Sequence, residues 1–142
     1  MKTTILAIIA SMAITTAHGQ GSVASTASQD AFFDALGALC GKAFEGQVSV
    51  DNANDDSFAG KTLIMHVRRC NTVQIQIPFH VGDDASRTWL ISKTRSGLSL
   101  KHDHRHRDGS EDELTQYGGH TVDAGWPQVQ SFPADQYSKE LF

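Results

Sequence analysis

Hydrophobic positions along the chain follow two regimes. Phe32, Phe33, Leu36, Leu39 and Cys40 recur at helical spacing. Ser28 suits the N-cap, Asp30 the positively polarised first turn, and Gly41 the C-terminal stop. This pattern predicts one short amphipathic helix whose aromatic stripe faces a core. Beyond Gly41 the period becomes two. Phe44, Val48 and Val50 share a face, and Leu63, Met65 and Val67 alternate with Ile64, His66 and Arg68. Val73, Ile75, Ile77 and Phe79 alternate with Gln74, Gln76, Pro78 and His80, the cleanest half-buried strand pattern in the chain. Pro78 limits pairing at that end because it lacks a backbone donor.

Thr88 to Lys93 predicts the next strand, with Trp89 and Ile91 on one face and Leu90 on the other. Ser96-Gly97 makes a turn, and Leu98 and Leu100 open a further strand. That strand turns at Asp108-Gly109 and returns through Leu114 to Gly118, where Gly118-Gly119 predicts a break or bend. Val129 and Ser131 mark a last strand, and Pro133 to Phe142 a short helical segment or tail. Short strands joined by turns after one helix define a mostly β fold: an antiparallel meander or a small up-and-down barrel with one N-terminal helix. A membrane barrel is disfavoured, because Arg, Asp and Gln fall on both strand faces.

The N-terminus changes the setting. Lys2, the apolar run Ile5 to Ile14 and the small residues up to Gly19 read as a secretory signal over residues 1–19. The run is short for a bilayer span, which needs about 20 apolar residues. Residues 20–28 are mostly Gly, Ser, Ala and Thr and read as a flexible leader, leaving residues 29–142 as a single β-rich domain. The expectation is an exported protein, periplasmic or secreted, without a membrane span once the signal is removed. Cys40 and Cys70, an even pair in an oxidising compartment, predict a disulfide between the helix and an early strand, with two buried free thiols as the alternative. Net charge is −4 with both signs mixed along the chain, which argues against nucleic acid as a partner.

Candidate chemistry concentrates in Lys101-His-Asp-His-Arg-His-Arg-Asp-Gly109. On a strand, His102, His104 and His106 share one face with Leu98 and Leu100. With an even-length loop at Asp108-Gly109, their companions from the returning strand are Glu113, Thr115 and Tyr117, and Asp112 lies on the opposite face. An odd-length loop with a bulge changes that parity. Neutral imidazoles ligate zinc, copper or nickel, and a carboxylate can ligate or orient them. His80 is the preferred further ligand from another strand, with His66 and His120 as alternatives. The competing reading is a charged, solvated hairpin held by cross-strand pairs such as Arg105 with Asp112.

Other chemistry has less support. The chain lacks a G-x-S-x-G elbow, a C-x-x-C pair and a phosphate-binding glycine loop. The Asp- and Asn-rich stretch from Asp51 to Gly60 lacks calcium-loop spacing and reads as a solvated turn. Asp83-Asp84 and Glu111-Asp112-Glu113 likewise read as polar loops, and Arg68, Arg69, Arg87 and Arg95 as scattered surface cations.

Leu100 to Gly109, followed by Thr115-Gln-Tyr-Gly-Gly119, resembles a set of small exported bacterial proteins with a K-H-D-H-R-H-x-D-G motif. Gly41-Lys-Ala-Phe44-Glu-Gly46 and Ile77-Pro-Phe-His80-Val-Gly82 extend that likeness over most of the mature chain, and it carries no activity with it. The helix followed by Gly-x-x-Phe-x-Gly is also loosely similar to the start of lipocalin-like (calycin) barrels. Here Phe44 stands where those barrels usually have Trp, and the mature chain is short for that barrel. The leading functional expectation is a small binding protein without turnover, for a small molecule or a metal ion such as zinc or copper. The alternatives are an envelope enzyme with a His-centred acid/base or metal site, and a structural or protein-interaction module.

Overall fold

The computed structural model describes residues 25–49 and 57–142. The signal segment, the leader up to residue 24, Val50 and the acidic stretch 51–56 lie outside the described residues. The order of elements is α1 (Ala27–Gly37), β1 (Ala43–Gly46), β2 (Leu63–His66), β3 (Arg69–Cys70), β4 (Gln74–Val81), β5 (Asp84–Thr94), β6 (Gly97–His104), β7 (Tyr117–His120) and α2 (Gln136–Leu141). All strand pairings are antiparallel, in the spatial order β1-β2-β4-β5-β6-β7, with β3 also on β4. The sheet does not close, so the fold is the meander and not the barrel. Both end strands span four residues, and the free side of β7 is taken by a bridge from Gly119 to Ala134 instead of by β1.

Helix α1 starts two residues earlier than Ser28 implied. Thr26 is the N-cap: its hydroxyl accepts from Gln29 N, and the Gln29 side chain accepts from Thr26 N, a reciprocal capping box. Gln29 is nonetheless buried, because its amide also donates to Thr121 Oγ1 at 3.0 Å and to the Asp123 carbonyl at 2.8 Å. The cap thereby ties the helix to the segment after β7. Phe33 enters the core with Val67, Ile75, Ile77, Ile91 and Leu98, and Phe32, Leu36 and Leu39 pack around them. The Cys40–Cys70 disulfide is formed, with Cα atoms 6.2 Å apart and a sequence separation of 30. In the chain-entropy model a loop of this length contributes about 3–4 kcal/mol.

Helix α1 covers only one half of one sheet face. Along that face, past Ile75 and Ile91, the strands carry Phe79, Arg87, Trp89, His102, His104 and Tyr117, which are half-buried. The opposite face carries Gln76, Pro78, Thr88, Leu90, Lys101 and Asp103; α2 meets it only at Lys101, which pairs with Asp135 and lies over the Tyr137 ring. Strand β7 is shorter than the predicted return strand and contains Gly118 and Gly119 instead of ending at them. Glycine is required at both. A Cβ on Gly118 would lie 2.0 Å from Leu100 O, and one on Gly119 would lie 1.7 Å from Pro133 O. The expected last strand is only a tight turn with a Trp126–Val129 bridge, while the C-terminal helical segment is present as α2.

Candidate functional site

The hairpin loop decides which side chains meet the histidines. Gly109 N donates to His106 O and His106 N donates to Ser110 O, both at 3.0 Å, which closes a three-residue loop. Gly109 sits at φ 87°, the left-handed position such a loop requires. The odd count puts Arg105 opposite Glu111 and lets Asp112 N donate to His104 O at 3.0 Å. Asp112 therefore joins the histidines and Glu113, the expected companion, is exposed away from them. Gln116, at φ 57°, marks the irregular stretch that restores the register, so that Tyr117 pairs with His102 as one of the even-loop registers predicts.

The three imidazoles then part company. His102 stacks on Tyr117 with ring centroids 4.5 Å apart and pairs with Trp89 across β5. Trp89 in turn stacks on Phe79 at 5.0 Å, and the edge of Phe142 meets Tyr117 at 5.2 Å. His102 thus belongs to an aromatic row across the sheet. Its Nδ1 is buried without a hydrogen-bond partner among the described residues. Burial, then the neighbouring His104 and Arg87, lower its pKa, so it resists protonation. Burial likewise raises the Tyr117 phenol.

His104 has a different role. Its Nε2 lies 2.7 Å from Ser86 Oγ and its Nδ1 lies 3.4 Å from Asp112 Oδ2. Its backbone N–H donates to Thr115 Oγ1 at 2.8 Å, which fixes the strand on which the ring is mounted. Asp112 is fixed as well, accepting from Leu114 N at 2.8 Å, and that bond followed by His104 and His106 lowers its pKa. His106 projects into solvent with Nδ1 3.8 Å from Asp112. His80 pairs with Ile64 on β2, two strands away from β6, and is not brought to the hairpin. Among the described residues no group of three His, Cys, Asp or Glu side chains is placed to hold a metal ion.

Ser86 also opens onto the side of the sheet opposite α1. A cleft of about 840 Å³ there is lined by Asp83, Asp84, Ser86, Thr88, Asp103, Arg105, His106 and Arg107. It continues into a second hollow of about 370 Å³ that adds Arg68, Arg69, Gln76 and Gln116, with Thr88, Asp103 and Arg105 common to both. Arg105 is fully engaged, donating to Asp103 at 3.0 Å, Glu111 at 3.0 Å and Gly109 O at 3.2 Å. Asp84 pairs with Arg87 and accepts from Ser86 N at 2.9 Å. Hydrogen bonds from Ser86, with Arg87 adding to them, hold the Asp84 carboxyl at about 2. Among the described residues Arg107 and Asp83 have no ion pair or side-chain hydrogen bond, so both are available to a ligand.

Ser86 and Asp112 were not legible as site residues. Ser86 lies ahead of the predicted β5 in a polar run, and an even-length loop puts Asp112 on the opposite face. The Asp-Gly step at 108–109 locates the turn without giving the odd length of its loop. No family model, curated protein or solved structure matches the chain.

Proposed function

We propose that this chain is an exported binding protein for a small polar molecule bearing an anionic group, held where the β4–β5 turn meets the histidine hairpin. The observation that carries this reading is the 840 Å³ cleft with an unengaged Arg107 on its wall. Its volume lies within the range of small-molecule sites, roughly 300–1,000 Å³. Arg107 offers a fork of donors to a carboxylate, and Ser86, Thr88 and His106 offer further polar contacts. The disulfide and the signal-like residues 1–19 support export. No helix among the described residues is long and apolar enough to cross a membrane.

The test is a titration of the isotope-labelled mature protein with short-chain carboxylates and their esters, followed by backbone amide shifts. Saturable shifts at Ser86, Thr88, His106 and Arg107, weakened at least tenfold by Arg107→Glu, are the expected result. Shifts confined to Trp89, His102 and Tyr117, or no saturable shift, would overturn the reading. Mass spectrometry of protein recovered from its host should find residues 1–19 removed.

A further inference from the structure

We propose that Ser86, His104 and Asp112 form an acyl-transfer site that cleaves small carboxylic esters held in this cleft. The proposal rests on the binding reading above and adds turnover to it. Its basis is a continuous hydroxyl–imidazole–carboxylate series: Ser86 Oγ to His104 Nε2 at 2.7 Å, and His104 Nδ1 to Asp112 Oδ2 at 3.4 Å. A nucleophile within reach of a base, and a base oriented by a third group, is the arrangement such chemistry needs.

The carboxylate decides the tautomer. With the proton on Nε2, the Nδ1 lone pair would face the Asp112 oxygen. With the proton on Nδ1, that repulsion becomes an attraction across 3.4 Å, and Nε2 is left as an acceptor facing the Ser86 hydroxyl. Asp112 thus sets His104 to take a proton from Ser86. The partners are held from outside the series, Asp112 by Leu114 N and the His104 backbone by Thr115 Oγ1. Ser86 lines the cleft, so the nucleophile is open to a substrate.

The steps balance without any further reagent. Ser86 Oγ bonds to the ester carbonyl carbon as its proton passes to His104 Nε2. The carbon–alkoxy bond breaks and the alcohol leaves with that proton, giving acyl-Ser86. Water then attacks the acyl carbon and gives a proton to Nε2. The carbon–Oγ bond breaks, Oγ recovers the proton, and a carboxylic acid is released. Arg107 lies in the same cleft and is the cation available to the developing oxyanion.

The probe is p-nitrophenyl acetate on the disulfide-bonded mature protein, read by nitrophenolate release and by mapping the acetylated residue. Acetylation of Ser86 is expected, abolished in Ser86→Ala and slowed on the order of a hundredfold or more in His104→Gln and Asp112→Asn. Thermal unfolding of each variant separates lost chemistry from lost fold. Saturable ester binding without acetyl-Ser86 would overturn the triad and leave the binding reading standing. Acetyl-Ser86 that forms equally fast in folded His104→Gln and Asp112→Asn would also overturn it. Acetyl-Ser86 formed without saturable binding would support the triad and overturn the binding reading.

Discussion

Replacing Gly119 with Ala tests how the C-terminal segment is held. The added Cβ would sit 1.7 Å from Pro133 O and 2.7 Å from Pro133 C. Both are backbone atoms and cannot rotate away as the end of a side chain would. Gly119 is not among the glycines with positive φ, so the effect is steric and owes nothing to backbone conformation. Restoring ordinary contact moves residues 133–138 away from β7. That motion breaks the bond from Asp135 N to Gly118 O at 2.9 Å and the two Ser138 Oγ bonds to Gly118, at 2.7 Å to its N–H and 2.8 Å to its carbonyl. At a net ~1 kcal/mol each, the loss is about 3 kcal/mol. For a domain of this size that lowers Tm by roughly 10–15 °C. Gly109→Ala is the control: its Cβ would meet nothing within 4 Å, and the φ of 87° leaves only a conformational cost of about 1 kcal/mol. Calorimetry of the two variants, with hydrogen exchange at Asp135 and Ser138, gives the comparison. A Gly119→Ala protein that loses no more stability than Gly109→Ala, and keeps those amides protected, would refute the steric argument.

Two other outcomes follow from the fold. Reducing the Cys40–Cys70 disulfide should cost about 3–4 kcal/mol in urea unfolding, given the 30-residue separation; a change under 1 kcal/mol would show that the unfolded chain is not constrained by it. Asp84 is depressed from 3.8 to about 2, so its contribution is fully present above the unfolded value and is lost as pH falls through the folded one. The side chain is 44% exposed, and screening brings that contribution down to about 1 kcal/mol. Asp84→Asn should therefore flatten the acid limb of the stability curve below pH ~4, which equilibrium unfolding at stepped pH measures directly.

Periodicity made most of the sheet legible. The alternation through Ile75 and Ile77 and through Trp89 and Ile91 lands on the helix-facing side, because a half-buried strand must present one face to the core. The capping box Thr26-Ala-Ser-Gln29 was also written in the chain, yet Ser28 drew the helix start, because both residues cap well and only the packing of Gln29 against Thr121 decides between them. The site was less legible for a sharper reason. One residue more in a hairpin loop exchanges the two faces of the returning strand. Gly109 in the left-handed region moves Asp112 to the imidazoles and Glu113 away, and no count of charges or histidines contains that information. The Ser86–His104 contact joins residues 18 apart on different strands, so it depends on the β5–β6 register that the turn at Arg95-Ser96 sets.

The tie between Ser138 and Gly118 also fixes when the molecule can finish folding. A chain that emerges N-terminus first, from a ribosome or through a translocation pore, offers α1 and β1 to β6 long before residues 133–142. Until those residues are free, the outer side of β7 has no partner and Tyr117 lacks the Phe142 ring against it. Completion waits for residues 133–142 to emerge. A chain ending before Pro133 would be left at the penultimate stage of assembly, with an unsealed strand available to a neighbour.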